Sequence, residues 1–191
     1  MDISDILHQV FSDSVIVAGL SKLKTFDEYT YEHSVDVCVS SIQLGETYYY
    51  SYDNLIRLAK AAVLHDIGKL RVPIEILNSP NKLTQTEWVR MKMHPVYSAE
   101  WVLDNLGDKQ IATAVLMHHE RVNGDGYPLG LNGSQLTMDS RIIAVADIYN
   151  ALKTKRTYRN TIWEDDRIYN EFKQMQGVDL HVVDEFYKIL T

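Results

Sequence analysis

Four prolines and nine glycines in 191 residues leave this chain few backbone breakers, so long stretches are free to be helical. Those stretches carry helical periodicity. Leu55, Leu58, Ala59, Ala62 and Val63 recur at the i, i+3, i+4, i+7, i+8 spacing of one apolar helix face. Ile142, Val145, Ala146, Tyr149 and Leu152 form a second stripe between Met138 and Leu152. Further helices are expected over 3–20, from a cap at Asp27 through His33 to Thr47, and over 109–119, 163–175 and 179–190. Thr84 and Glu87 fit a capping box. Pro95 is expected to interrupt the segment just after His94, with helix resuming to Leu106. Nothing calls for a substantial sheet. The expected fold is an all-α helical bundle, and the length suits one compact domain.

A formal net charge of −7 argues against long nucleic acids and anionic membranes as partners, although a local basic pocket can still take a small anion. Cys38 is the only cysteine, which excludes an intramolecular disulfide and a cysteine metal site. The N-terminus carries Asp2, Asp5 and Asp13 where a signal peptide would be basic, and the apolar run Val15-Ile16-Val17-Ala18 is far short of a membrane span. A cytoplasmic protein with no membrane partner is expected.

The chemistry-bearing residues sit at helix ends or on apolar helices. His33 alone reads as an ordinary helical histidine. His65-Asp66 ends an apolar helix, where two polar groups are costly to bury without partners, the bland alternative being a solvated helix end. His94 lies beside Pro95, a position suited to a ligand or to a surface turn. His118-His119 closes the apolar helix of Ile111, Ala112, Val115 and Leu116. Asp147 lies within Ile142-Ile143-Ala144-Val145-Ala146-Asp147-Ile148, so either a base or a metal must partner its carboxylate. Five histidines and two aspartates suit Mn, Fe, Zn or similar ions, not Ca. Seven ligands exceed the needs of one tetrahedral zinc, which favours two ions sharing a hydroxide and clamping a phosphoryl group. His8 and His181 read as surface or structural.

Phosphate recognition is the second ingredient. Lys69 lies within a turn of His65-Asp66, and Arg156 and Arg159 have the spacing of one helical face and the fork geometry for phosphate oxygens. Lys153 and Lys155 read as solvated. In Gly124-Asp125-Gly126-Tyr127-Pro128, Tyr127 is available for stacking or a phosphate hydrogen bond, with a tight turn packed by the ring as the competing reading.

His65-Asp66-Ile67-Gly68-Lys69 resembles the signature of the HD superfamily of metal-dependent phosphohydrolases. The run from His118-His119-Glu120 to Gly126-Tyr127-Pro128 is similar to the extended signature of its HD-GYP branch. Tyr31-Glu32-His33-Ser34, Lys82-Leu83-Thr84, Met93-His94-Pro95, the 141–147 block and Arg156-Thr157-Tyr158-Arg159 continue the match over residues 25–190.

The resemblance implies a helical bundle of the HD-domain type that hydrolyses cyclic di-GMP to pGpG, GMP or both. It implies iron or manganese held by His33, His65, Asp66, His94, His118, His119 and Asp147, with Asp66 bridging and acting in catalysis with Lys69. Lys69, Tyr127, Arg156 and Arg159 would bind substrate. Rival readings are a catalytically weak cyclic-dinucleotide-binding signalling module, and a phosphohydrolase for another cyclic dinucleotide such as cyclic GMP-AMP. The expected partners are a small cyclic dinucleotide and proteins of second-messenger signalling. Residues 1–24 are expected as a helical segment packing on a phosphodiesterase domain at 25–191, too short for a receiver, sensor or cyclase-like segment.

Three departures from the family pattern bear on this. Tyr29 stands where three-metal members carry a glutamate, so two ions are expected. Asn150 replaces a frequent aspartate, which alters a hydrogen-bonding role behind the site. Val178-Asp179-Leu180 replaces a common Phe-Asp-Pro and bears on packing.

Overall fold

Capping side chains set most helix starts. Asp2, Asp13, Asp27, Ser51, Thr84, Asp108, Thr137 and Asp179 each accept a hydrogen bond from a backbone N–H of the following first turn. The computed structural model describes residues 2–154 and 163–191. It holds α1 (Ile3–Phe11), α2 (Ser14–Phe26), α3 (Glu28–Thr47), α4 (Tyr52–Leu64), α5 (Ile74–Leu77) and α6 (Gln85–Met91). These are followed by α7 (His94–Leu106), α8 (Lys109–Met117), α9 (Met138–Lys153), α10 (Asp165–Gln174) and α11 (Leu180–Leu190). Short 3-10 helices occupy Ile67–Arg71 and Gly133–Gln135. No strand occurs among the described residues, so the all-α expectation holds.

Three boundaries differ from the sequence expectation. The helix expected over 3–20 is two, because the Asp13 carboxylate accepts from Val15 and Ile16 N–H and starts α2 at 85° to α1. The break expected after His94 falls before it. Pro95 lies in the first turn of α7, where its missing N–H leaves no helical bond unmade. The helix expected over 109–119 ends at Met117, and His118 is its C-cap.

The core gathers around α3, which packs on α4 and α9, while α8 packs on α4, α7 and α9. Val37, Ile42, Leu44, Leu55, Leu58, Val63, Val115, Ile142 and Ile143 are wholly buried there. The stripe expected on α4 is the stripe that is buried. The two N-terminal helices bury Ile6, Val10, Ile16, Leu20 and Leu23 against α3 and α4. No single helix among the described residues is long and apolar enough to cross a membrane.

Candidate metal centre

The ends of three helices and the middles of two others converge at one place. His65 closes α4, with Asp66 in the turn that follows; His118 closes α8, followed by His119; His94 opens α7. His33 and Asp147 reach in from α3 and α9. The turn after α4 is fastened to α7 by Ser98, which is wholly buried. Its hydroxyl accepts from Gly68 N–H at 2.8 Å and donates to the His65 carbonyl at 2.7 Å. A side chain at Gly68 would collide with the His94 carbonyl and Ser98 N, so only glycine allows this approach.

Hydrogen bonds settle the histidine tautomers. The Nδ1 atoms of His65, His94 and His118 lie 2.7, 2.8 and 2.6 Å from the carbonyls of Ala62, Met91 and Val115, each three residues earlier. A carbonyl only accepts, so each Nδ1 carries the proton and donates it. The Nε2 lone pairs therefore face the space between the helices. His94 Nε2 and His118 Nε2 are 3.3 Å apart. Burial lowers the pKa of His94 to about 4, against the opposing pull of Asp66, and that of His118 to about 3, so both are neutral at pH 7. Two lone pairs facing each other at that distance repel unless a cation lies between them. Nitrogen ligands sharing one ion at about 2.1 Å sit roughly 3.0–3.4 Å apart, which matches. Burial, reinforced by His118 and His94, also holds His119 well below its ordinary value.

The carboxylates are buried among these rings. Asp66 Oδ2 accepts from Lys69 Nζ at 2.6 Å and lies 3.2 Å from His65 Nε2; its Oδ1 lies 3.2 Å from His94 Nε2. Neither Asp66 Oδ1 nor His65 Nε2 has a hydrogen-bond partner, although both are buried. Asp147 Oδ1 is 2.9 Å from His33 Nε2, and its Oδ2 is 3.9 Å from His119 Nδ1. Burial opposes the charge of both acids. Lys69 and His65 nevertheless hold Asp66, and His33 holds Asp147, well below the usual carboxylate range. Burial likewise opposes charge on His65, but Asp66 outweighs it and raises that pKa.

All seven side chains expected from the sequence thus meet. Three overlapping groups, His94–His118–His119, His33–His65–Asp66 and His65–His118–Asp147, each offer ligand atoms within 4.8 Å of one another. Orphaned buried acceptors and opposed lone pairs fit divalent cations, and an imidazole–carboxylate donor set suits Mn, Fe or Zn. His119 and Asp147 keep 18% and 14% of their side chains exposed, which marks the open side of the cluster.

Of the expected substrate contacts, Lys69 is paired with Asp66, and Tyr127 lies over His119 with ring centroids 4.7 Å apart. Burial raises the Tyr127 pKa, so its hydroxyl stays protonated. Arg156 and Arg159 lie outside the described residues. His181 packs edge-on against Tyr48, and His8 belongs to α1, both away from the cluster.

Two residues escaped the sequence reading as parts of this site. Ser98 is one. Glu120 is another: buried, it accepts from Leu129 N–H at 2.6 Å and Leu131 N–H at 2.9 Å, which folds the glycine-rich loop back beneath Tyr127. Its place directly after the histidine pair was the available signal. Gly126 lies so close to Glu120 and Arg121 that a Cβ would strike their backbone. Asn150, expected from the sequence to alter a hydrogen-bonding role behind the site, donates from Nδ2 to Ala146 O at 2.9 Å and Ser40 Oγ at 3.0 Å, tying α9 to α3 one turn beyond Asp147.

A model of the HD domain matches residues 29–177. A cyclic di-GMP phosphodiesterase of Pseudomonas aeruginosa is 44% identical over 146 residues, covering 74% of this chain and 34% of the relative. A 3'3'-cGAMP-specific phosphodiesterase of Vibrio cholerae is 35% identical over 153 residues, covering 80% of this chain and 33% of the relative. The chain therefore spans about a third of the length of these curated relatives. Among solved structures, an HDG"Y"P protein from Bdellovibrio bacteriovorus superposes with a TM-score of 0.69 at 21% identity, over 84% of this chain and 52% of that one.

Proposed function

This chain belongs to the HD domain family, and we propose that it hydrolyses the phosphodiester bonds of a cyclic dinucleotide, cyclic di-GMP first, to pGpG, GMP or both. One arrangement carries the proposal. Three Nε2 lone pairs, held by carbonyls behind the rings, face a buried space shared with two carboxylates. His33, His65, Asp66, His94, His118, His119 and Asp147 would hold two divalent ions there, Fe or Mn. Ions so bound would supply a nucleophilic water at neutral pH and offset charge on the phosphoryl oxygens.

The protein's own groups orient and balance this chemistry. Asp66 turns one oxygen toward His94 and the other toward His65, as a ligand shared by two ions would. Lys69, now on Asp66, would exchange that partner for a substrate phosphate once cations neutralise the carboxylate. Tyr127 borders the approach to His119, and Arg156 and Arg159 would add phosphate contacts. Tyr29 stacks on the His33 ring with centroids 6.2 Å apart, an aromatic group where a carboxylate would be needed for a third ion. Residues 1–24 would be a helical segment packed on a catalytic domain of 25–191, a packing supported by the burial of Ile6, Val10, Ile16, Leu20 and Leu23 in the shared core.

Cyclic di-GMP is favoured by the higher identity to the Pseudomonas relative; the relative named for cyclic GMP-AMP makes that dinucleotide the second substrate to assay. Protein purified without oxygen should consume cyclic di-GMP with Fe(II) or Mn(II) and stop when stripped of metal. Asp66→Ala should remove both metal and turnover. A metal-free yet active variant would overturn the mechanism, and ligand binding without turnover under any metal would favour a signalling module.

A further inference from the structure

The short helix α6 does something no core element does: none of its seven residues is buried. Its placement comes instead from a capping box, in which Thr84 N–H donates to Glu87 Oε2 at 2.8 Å and Glu87 N–H donates to Thr84 Oγ1 at 3.3 Å. Trp88 sits on this helix with 43% of its surface exposed. A tryptophan needed for packing would be buried, so the ring has no core task. It meets the Tyr127 ring nearly edge-on, with centroids 6.4 Å apart and planes at 70°, and Tyr127 in turn covers His119. The indole therefore stands two ring contacts from the metal-binding histidines, on their open side.

Beside it is a cation. Lys92 Nζ lies 5.8 Å from the Tyr127 ring centroid, and among the described residues it pairs with no carboxylate. In a chain of net charge −7, an ammonium beside Tyr127 that meets no carboxylate among the described residues is the complement of an anion. A cyclic dinucleotide carries two purines and two phosphates on one small ring. With one phosphate at the ions, the other phosphate and a base must lie within a nucleotide's length of the cluster.

We propose that Trp88 is a stacking platform for a purine base of the substrate, and that Lys92 receives the phosphate not being cut. This rests on the cyclic-dinucleotide reading above and adds two specificity residues to it. Stacking on an exposed indole is tolerant of the base, so Trp88 contributes affinity for purine dinucleotides as a class. Lys92 contributes a salt-sensitive attraction.

Trp88→Ala, Trp88→Tyr and Lys92→Gln test this through KM, kcat and tryptophan fluorescence with cyclic di-GMP as probe. Trp88→Ala should raise KM about tenfold with a much smaller change in kcat, and Trp88→Tyr should restore most of the affinity. Lys92→Gln should raise KM several-fold and flatten its dependence on salt. Cyclic di-GMP should quench wild-type fluorescence, and the quench should be lost in Trp88→Tyr, whose remaining tryptophans are Trp101 and Trp163. Turnover with unchanged KM in Trp88→Ala, or a quench that persists without Trp88, overturns the stacking proposal and points to a protein-docking role for the ring. Quenching at Trp88 without turnover in any metal supports the platform and overturns the phosphodiesterase reading instead.

Discussion

Ser98→Ala tests whether the metal-binding turn is held from behind. Its hydroxyl links Gly68 N–H to the His65 carbonyl, and Ser98, His65 and Gly68 are all buried, away from solvent that could replace those bonds. Alanine fits the space but leaves one buried donor and one buried acceptor stripped of that partner. Each such loss costs about 1–3 kcal/mol, so the metal-free protein should lose roughly 2–6 kcal/mol of stability. For a chain of this size that is a fall of roughly 4–24 °C in Tm. Because the bond also fixes the backbone that carries His65 and Asp66, metal affinity should fall by about tenfold or more. Urea denaturation of metal-free protein gives the first quantity, and competition with a chromophoric chelator gives the second. A stability loss below about 1 kcal/mol with unchanged metal affinity would refute the idea that Ser98 sets the turn.

Two other outcomes follow from the same geometry. His94 and His118 titrate near 4 and 3 in the folded, metal-free protein but near 6.5 when unfolded, so the unfolded chain binds more protons between those values. Their stabilising contribution is complete above about pH 6.5 and is lost progressively as the pH falls toward 4. His119 acts in the same direction, while the raised pKa of His65 acts in the opposite one, its contribution being full at low pH and lost as the pH rises through its folded value. Asp66 and Asp147, held below their ordinary range, extend the acid loss further. Thermal melts of metal-free protein should show Tm dropping from pH 7.5 to 5; a flat or rising Tm would contradict the burial argument. Asn150→Asp replaces a donor to Ala146 O with a buried carboxylate facing a carbonyl. It should destabilise the metal-free protein by about 2 kcal/mol or more, read by urea denaturation, and a neutral effect would show that the amide bonds do not matter.

The helical class was legible because the stripes of α4 and α9 repeat at a helix period and their apolar residues are the buried ones. The chain's seven metal-binding candidates were legible from their number, from polar side chains on apolar helices that demand partners, and from the resemblance to the HD-GYP series. What could not be read was anything that depends on one helix crossing another. Ser98 is an ordinary helical serine until α7 is laid across the 65–68 turn. For Asn150 the sequence points to an altered hydrogen-bonding role but not to its partner, Ser40 of α3, which only the packing of α9 on α3 supplies. Nothing in the sequence separates Trp88 from a core residue; its exposure beside Tyr127 does. The break between α1 and α2 shows only once the Asp13 carboxylate is seen to accept from Val15 and Ile16 N–H.

In the proposed centre these seven side chains hold two ions and no more. Metal analysis by mass spectrometry of protein purified without oxygen, compared with Asp66→Ala, tests it most directly. Two ions of iron or manganese per chain, and essentially none in the variant, are the expected result. Three tightly bound ions would show that Tyr29 does not limit the cluster, and a metal-free wild type that still cleaves cyclic di-GMP would contradict the account altogether.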